Sequence, residues 1–178
     1  SLPGPYGIGG FGWNAYDFVD FLASCKQHYW QILPLTTTSY GDSPYQSFSA
    51  RAGNPNFIDF AELIEAGYLE QCDIDGVYLG SDPSNVDYGA IFGGRRQILD
   101  RAAERFAADK PADFDGFVQT NEDWLIPYCE FMTVKEECGL KAFWEWPEEL
   151  RTRGEASAKV CAAHPARMLY HQMTQYFF

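Results

Sequence analysis

The 178-residue chain is long enough to bury one core of ordinary size, and its 46% hydrophobic and 17% aromatic content excludes a disordered chain. A net charge of −12 disfavours nucleic acid and anionic membranes as partners, because both require a basic surface. No apolar run approaches about 18 residues, the length of a membrane-spanning helix. The charge does not affect a neutral ligand, and nothing in the composition sets the oligomeric state.

Five cysteines, at positions 25, 72, 129, 138 and 161, are widely spaced and include no CxxC pair. This pattern disfavours a disulfide framework or a zinc site. With no signal peptide and no Asn-x-Ser/Thr sequon, the sequence predicts a cytoplasmic protein, with a plastid location as the alternative.

The segment Gly7-Ile8-Gly9-Gly10-Phe11-Gly12 satisfies the GxGxxG pattern of dinucleotide-binding proteins. That function needs a strand directly before the glycines and an acidic residue about 20 positions later. Pro3 and Pro5 stand where the strand is required, and Leu33-Pro34-Leu35-Thr36 contains no acid. The preferred interpretation is a tight turn that leads the chain into a helix.

Asn14 is the predicted N-cap of that helix, with Asp17 completing a capping box. Four side chains then recur with helical spacing and mark one face for burial. They are Phe18, Phe21, Leu22 and Cys25. Residues 29–33 are predicted to form a buried strand, and a helix that feeds a parallel strand is half of a β/α unit.

The predicted strand leads into Ser39-Tyr40-Gly41-Asp42-Ser43-Pro44-Tyr45-Gln46-Ser47-Phe48-Ser49. Tyrosine offers a flat apolar ring with a hydroxyl at one end, while Ser, Asp and Gln supply short hydrogen-bonding arms. A long loop of this kind is typically functional, and its aromatic residues disfavour disorder. The combination predicts a surface for a ligand with apolar ring faces and a rim of hydroxyls, which describes a sugar.

Downstream, residues 59–66 are predicted as a short helix that ends at Gly67. Residues 71–86 are predicted to be irregular, and from about Tyr88 the pattern is helical to the end, with one helix ending before Pro111, a second near Gly139, and a last one beyond Pro165. The predicted buried face of the first long helix comprises Ile91, Ile98, Leu99, Ala102 and Phe106.

Several segments follow one another in a fixed order. They are Ser1-Leu2-Pro3-Gly4-Pro5-Tyr6-Gly7-Ile8-Gly9, Tyr29-Trp30-Gln31-Ile32-Leu33-Pro34-Leu35, Tyr40-Gly41-Asp42-Ser43-Pro44-Tyr45-Gln46-Ser47-Phe48-Ser49-Ala50, Gly53-Asn54-Pro55, Val86-Asp87-Tyr88-Gly89 and Tyr170-His171-Gln172-Met173-Thr174-Gln175-Tyr176-Phe177-Phe178. In this order they resemble the N-terminal part of the 4-α-glucanotransferases, also called amylomaltases or disproportionating enzymes. The middle third of the chain is the least similar.

The resemblance implies an α/β fold, the N-terminal part of a (β/α)8 TIM barrel with an inserted all-helical subdomain. Residues 1–84 would then supply the first β/α elements and the glucan-binding loop, and residues 85–178 the helical insertion, so that this chain is mostly α. It also implies transfer of α-1,4-glucan segments between maltooligosaccharide or amylose chains by a retaining double displacement, with no metal or organic cofactor.

In that family the catalytic carboxylates lie on later barrel strands, and none of their local motifs occurs here. No catalytic residue is therefore named, and the chain alone is expected to be inactive. The missing initiator Met and the apolar end at Tyr176-Phe177-Phe178 also lead us to expect a piece of a longer enzyme. The alternatives are a non-catalytic glucan-binding module and, from residues 85–178 alone, a helical interaction domain.

The resemblance also implies glucan contacts. Tyr45 and Ser43 are expected to contact glucan, because this loop borders the donor subsites, and the alternative is that Tyr45 packs against the barrel rim. Tyr40 and Phe92 match positions that form a second glucan site in some bacterial members. Asp42 is expected to fix the turn rather than to catalyse.

The remaining candidates favour structural roles. His28, His164 and His171 share no metal-ligand spacing. His171, in the last helix, is expected to be a packing or hydrogen-bonding residue. Trp144 and Trp146, beside Pro147, are interpreted as core residues between helices rather than as a sugar platform.

Overall fold

The computed structural model describes residues 2–38, 41–82 and 84–178, and eight α-helices run through them. They are α1 (Trp13–Ser24), α2 (Phe60–Glu65), α3 (Gln71–Ile74), α4 (Tyr88–Ala108), α5 (Phe114–Thr120), α6 (Glu122–Glu137), α7 (Glu155–Ala163) and α8 (Pro165–Phe177). Single turns of 3-10 helix form at Pro55–Phe57, Phe143–Glu145 and Glu148–Leu150. The chain divides into an N-terminal unit (Ser1–Phe106 with Phe177–Phe178) and a helical unit (Ala107–Tyr176).

Among the described residues there is no β-strand, only an antiparallel bridge between Thr36 and Gly53. The strand predicted at residues 29–33 is therefore wrong for this chain, and Tyr29 is 94% exposed there. A parallel strand needs neighbours to pair its N–H and C=O groups, and no described segment provides them. The prediction that this chain is mostly helical is confirmed.

The prediction for the start of α1 was also wrong. Gly12, not Asn14, occupies the cap position, and the Asn14 side-chain amide donates to the Pro3 carbonyl at 3.1 Å. The predicted apolar face is not buried either, since Ala15 is the buried residue of α1 and Phe21 is 59% exposed. A helix buries its apolar face only against a second element, and the described residues supply no sheet for α1 to pack on.

The glycine-rich segment before α1 bends sharply, as expected of a tight turn. Gly7 has φ +81°, and a Cβ there would lie 2.2 Å from the Leu79 carbonyl oxygen. A Cβ on Gly12 would lie 1.7 Å from the Asp59 carboxylate. Both positions need glycine because another part of the chain approaches the backbone closely.

The core of the N-terminal unit is built on α2 and α4. Asp59 caps α2 by accepting a 2.8 Å hydrogen bond from the Ala61 N–H, and Gly67, at φ +83°, follows its last turn. The five residues predicted as the buried face of α4 are all 0–1% exposed, so that prediction is confirmed. The rings of Tyr68, Phe106 and Phe177 lie within 5.3–5.6 Å of one another, measured between centroids.

In the helical unit, α6 and α8 follow the predicted pattern, with Gly139 at φ +66° just beyond α6 and Pro165 as the first residue of α8. The sequence pattern missed α5 and α7, as it missed α3 in the N-terminal unit, and all three helices are short. The Tyr176 hydroxyl donates to Asp113 at 2.8 Å, and the Phe114 and Phe117 rings meet Tyr176 edge-on. No helix among the described residues is both long and apolar enough to cross a membrane.

Candidate functional site

An open groove lies beside the predicted sugar-binding loop, in the N-terminal unit. Its volume is about 460 Å³. The lining residues come from two segments of the chain and are Pro34, Thr36, Pro44, Tyr45, Ser47, Phe48, Ser49 and Ala50. Apolar rings alternate there with hydroxyl groups, and the lining contains no charged side chain.

The loop begins and ends at a short neck of paired backbone. Thr36 and Gly53 form the antiparallel bridge, and the Thr37 N–H donates to the Ala52 carbonyl at 3.2 Å. The Asn54 N–H donates to the Leu35 carbonyl at 2.9 Å. Because both ends meet at this neck, the loop is a compact excursion of the kind that frequently carries function.

Tyr45 is 74% exposed and lies on the wall of the groove. A tight turn holds it, since the Gln46 N–H donates to the Ser43 carbonyl at 3.1 Å and the Tyr45 N–H to the Ser43 hydroxyl at 3.4 Å. Tyr45 is therefore not buried by the described residues of this chain, and its packing against a barrel rim stays an untested alternative. Ser43 is half-buried and is not among the lining residues, so in this structure it supports the turn that presents Tyr45.

Ser47 joins the two segments that line the groove. Its hydroxyl donates to the Ser49 carbonyl at 2.6 Å, accepts from the Ser49 N–H at 3.2 Å, and lies 3.2 Å from the hydroxyl of Thr37. Thr37 is 4% exposed. The Ser49 hydroxyl in turn accepts from the backbone N–H groups of Arg51 and Ala52, each at 3.1 Å.

Asp42 adopts the left-handed conformation, with φ 56°, beside Gly41 at φ 91°. Asp and Asn tolerate this conformation better than most residues. No carboxylate lines the groove, so Asp42 has no acidic partner there for general acid–base chemistry. Its conformation agrees with a role in the turn.

The structure does not test the pairing of Tyr40 with Phe92, because Tyr40 lies outside the described residues. Phe92 is 62% exposed on α4, and Tyr88, one turn earlier, is 44% exposed. The neighbouring Ile91 is 1% exposed and belongs to the core. Phe92 is not one of the groove-lining residues.

The other sequence candidates are not among the groove-lining residues. His171 is 3% exposed, as its predicted packing role requires, and no group of His, Cys, Asp and Glu among the described residues suits a metal ion. Trp146 is 3% exposed, which confirms its core role, but the prediction for Trp144 was wrong because its side chain is 74% exposed. The sequence analysis treated both tryptophans as large apolar residues, and the sequence does not show which of the two faces the core.

Sequence reasoning missed the lining residues Pro34, Thr36 and Ala50, whereas Phe48 belongs to the loop that was predicted to bind sugar. Pro34 directly follows the strand predicted at residues 29–33, and Phe48 is the second aromatic ring of the described part of the loop. Their shared location only becomes visible once the neck pairing joins residues 35–37 to residues 52–54.

Strongly shifted pKa values occur in the helical unit. Burial acts to raise the pKa of Glu136, but the hydrogen bonds and charges of His171 and Arg167 outweigh it and bring that pKa to about 2. Burial raises the pKa of Tyr128 and of Cys129 far above their usual ranges, so both stay neutral. The groove therefore resembles a binding surface rather than a tuned acid–base centre.

Comparison with known proteins agrees with this chemistry. The model of the 4-alpha-glucanotransferase family matches residues 1–178. A 4-alpha-glucanotransferase of Streptococcus pneumoniae is 51% identical over 181 residues, and one of Thermus thermophilus is 39% identical over 183 residues. A chloroplastic/amyloplastic 4-alpha-glucanotransferase of Solanum tuberosum is 29% identical over 162 residues, covering 86% of this chain and 28% of its own length.

Among solved structures, the amylomaltase from Streptococcus agalactiae in complex with acarbose superimposes with a TM-score of 0.92 at 46% identity, covering 100% of this chain and 37% of that one. The two bacterial relatives are likewise matched over 100% of this chain and 36% of their own length. By its match over every residue, this chain belongs to the 4-alpha-glucanotransferase family.

Proposed function

We propose that this chain is the glucan-binding N-terminal part of a 4-α-glucanotransferase, which transfers α-1,4-glucan segments between maltooligosaccharide or amylose chains. The observation that carries the proposal is the exposed ring of Tyr45 on an open groove lined by hydroxyl groups. A pyranose ring has apolar faces and hydroxyls around its edge, so it stacks on an aromatic ring while its edge bonds to neighbouring polar groups.

The groove chemistry also accounts for the neutral substrate. The lining residues carry no formal charge, so a neutral glucan would enter without leaving a charged side chain desolvated. Tyr45 and Phe48 offer ring faces, and Thr36 supplies a hydroxyl at the neck. The acarbose bound by the streptococcal amylomaltase supports an α-glucan-like ligand for this family. No cofactor is required.

The transfer chemistry needs groups that the groove lining does not contain. In a retaining double displacement, one carboxylate attacks the anomeric carbon as the glycosidic C–O bond breaks, and a second carboxylic acid protonates the leaving oxygen. The 4-hydroxyl of an acceptor glucan then displaces the carboxylate and gives its proton to the same acid/base group. We place both carboxylates in the part of the enzyme outside this chain.

Tyr45 is the residue whose loss tests the proposal. Replacing Tyr45 by Ala removes the stacking face, and we expect the dissociation constant for maltoheptaose, measured by isothermal titration calorimetry, to rise by about tenfold, which corresponds to about 1.4 kcal/mol. Tyr45→Phe keeps the ring and is expected to retain most of the affinity. Equal affinity of the Ala variant and the wild type would refute the assignment.

We further propose that Phe92 contributes to a second glucan contact, together with Tyr40. The exposure of Phe92 and Tyr88 on consecutive turns of α4 supports this, since rings four residues apart share one helix face. Phe92→Ala serves as the second arm of the titration. If the contact exists, its loss lowers the binding stoichiometry or affinity for long amylose without changing the groove affinity for maltoheptaose.

For the parent protein we propose a (β/α)8 barrel, with residues 1–84 as its first β/α elements and residues 85–178 as a helical insertion. The exposed apolar side chains of residues 29–33 support this arrangement, because they suit a strand that is covered on both sides by the rest of a barrel. We also propose a cytoplasmic or plastid location, which the bacterial relatives and the chloroplastic/amyloplastic relative support.

A second candidate is a glucan-binding module without catalysis of its own. The lack of any carboxylate in the groove lining favours it. Both candidates predict binding by Tyr45, so binding alone does not separate them. A transfer assay on the longest polypeptide that contains this segment does, since only the enzyme converts maltotriose to glucose and longer glucans.

A further inference from the structure

We propose that the hydrogen bond between the hydroxyls of Thr37 and Ser47, here called the clasp, fixes the width of the groove and positions Tyr45 and Phe48 for glucan. In this arrangement the Ser47 hydroxyl does not contact the ligand. This inference rests on the proposed glucan function of the groove. It assigns a positioning role to two residues that composition and loop motifs did not single out.

The hydroxyl of Ser47 has no bonding capacity left for a sugar. A serine hydroxyl offers one donor and two acceptor lone pairs. Its hydrogen goes to the Ser49 carbonyl at 2.6 Å, and one lone pair accepts the Ser49 N–H at 3.2 Å. The remaining lone pair faces the Thr37 hydroxyl at 3.2 Å. Because the hydrogen of Ser47 is already donated, Thr37 must be the donor in this contact.

The clasp connects the two chain segments that line the groove. Thr37 follows the groove residues Pro34 and Thr36, while Ser47 lies among the loop residues 44–50 that complete the lining. The neck pairs the backbone at residues 35–37 and 52–54. The contact between Thr37 and Ser47 adds a tie between residues 34–37 and the stretch that carries Tyr45.

Burial makes this tie sensitive to mutation. Thr37 is 4% exposed, so removing the Ser47 hydroxyl takes a partner from a buried hydroxyl that water reaches poorly. A buried polar group that loses its partner is costly, and the loop relieves the cost by shifting. A shift at Ser47 moves its neighbours Gln46 and Phe48, and Tyr45 with them.

The test is a set of variants titrated with maltoheptaose. We expect Ser47→Ala and Thr37→Val each to raise the dissociation constant by about threefold to tenfold, the effect of losing about one hydrogen bond. The double variant is expected to bind no worse than either single one, because both remove the same contact. Ser47→Thr, which keeps the hydroxyl, is expected to restore most of the affinity.

Two comparisons separate positioning from a general loss of structure. In a Tyr45→Ala background, Ser47→Ala is expected to have a much smaller effect, because the ring it positions is gone. Ser24→Ala provides the matched control. It also removes one hydrogen bond from a serine hydroxyl to a carbonyl, the 2.7 Å bond from Ser24 to Phe21, but Ser24 does not line the groove. It is expected to bind like the wild type.

Hydrogen exchange measured by mass spectrometry on residues 41–52 reads the clasp without any ligand. Faster exchange there in Ser47→Ala, with unchanged exchange in α4, supports the clasp, and unchanged exchange in this peptide overturns it. If Ser47→Ala binds maltoheptaose with the same affinity as the wild type, the positioning role is overturned, whereas the existence of the clasp is not affected. If the wild type binds no glucan, the proposed function fails, and the exchange data still decide whether the clasp exists.

Discussion

In the helical unit, the carboxylate of Glu136 interacts with both Arg167 and His171. It accepts two parallel hydrogen bonds from Arg167, at 2.6 and 2.9 Å, and the Nε2 atom of His171 lies 3.2 Å from Oε1, the oxygen that also accepts the 2.9 Å bond. Arg167 also lies over the Tyr170 ring at 4.0 Å. Since Glu136 is on α6 and its partners are on α8, this one carboxylate joins the two helices.

The coupling predicts acid sensitivity. The pKa of Glu136 falls from 4.5 to about 2 in the folded chain, so its stabilising effect is complete above about pH 5 and is lost as the pH falls toward 2. We expect Glu136→Gln to lower the free energy of unfolding at pH 7 by about 2 kcal/mol, after allowance for solvent screening. Urea unfolding at pH 7 and near pH 2 measures this.

Near pH 2 the Glu136→Gln variant and the wild type should have similar free energies of unfolding, because the wild-type carboxyl is then about half protonated and most of its pH-dependent stabilisation is already lost. Glu149→Gln, at an exposed position after Pro147, is the control and should follow the wild type throughout. A constant difference between Glu136→Gln and the wild type across this range would contradict the linkage.

At the scale of elements, α1 and α2 meet through one glycine and one aspartate. Asp59 caps α2 through one carboxylate oxygen, which accepts from the Ala61 N–H at 2.8 Å. Its other oxygen occupies the space where a Cβ of Gly12 would lie, and Gly12 is the residue before α1. At this junction the Asp59 side chain at the start of α2 leaves no room for a side chain at position 12, directly before α1.

Gly12→Ala should disrupt this junction. A Cβ at position 12 would also lie 2.8 Å from the Cβ of Asp59, so the Asp59 side chain cannot move aside by rotation alone. We expect loss of the α2 cap and a fall of about 1–2 kcal/mol in the free energy of unfolding. Thermal and urea unfolding followed by circular dichroism measure the change.

Gly93→Ala is the matched control, because Gly93 lies inside α4 and a Cβ there meets no atom within 4 Å. It should raise the free energy of unfolding by about 0.5–1 kcal/mol through helix propensity. If Gly12→Ala were as harmless as Gly93→Ala, the close approach of Asp59 would not exist in solution.

For the whole molecule, the distribution of exposed apolar side chains is uneven. Half of the large exposed hydrophobic residues described lie between Trp13 and Leu33, on α1 and the segment after it. This chain spans 36% of the length of the bacterial relatives it matches. The apolar surface on residues 13–33 supports the proposal that this chain works as part of a longer enzyme.

We therefore expect this chain alone to show no transferase activity. Incubation with maltotriose should yield no glucose and no longer glucans, because a retaining displacement needs two carboxylates about 5 Å apart and the groove lining has none. The 4-alpha-glucanotransferase of Streptococcus pneumoniae is the positive control. Turnover by this chain that disappears in Asp42→Asn would make Asp42 catalytic and overturn the expectation.

Features that depend on local pattern could be predicted from the amino-acid sequence. The spacing of apolar residues predicted the buried face of α4, and Gly67 and Pro165 marked the end of α2 and the start of α8 correctly. The mixture of Tyr and Ser in residues 41–49 predicted an exposed, hydroxyl-rich loop. These features follow from backbone geometry and side-chain chemistry within a few residues of one another.

Contacts between residues that are far apart in the sequence depend on the tertiary structure. Arg95 lies on the predicted apolar face of α4, yet it is 2% exposed, because its guanidinium stacks at 4.0 Å on Phe60 and donates to the carbonyls of Tyr6 and Ile58. The pairing of Thr37 with Ser47 was equally invisible. Residues 29–33 show the converse, since a strand pattern forms a strand only where neighbours complete its hydrogen bonds.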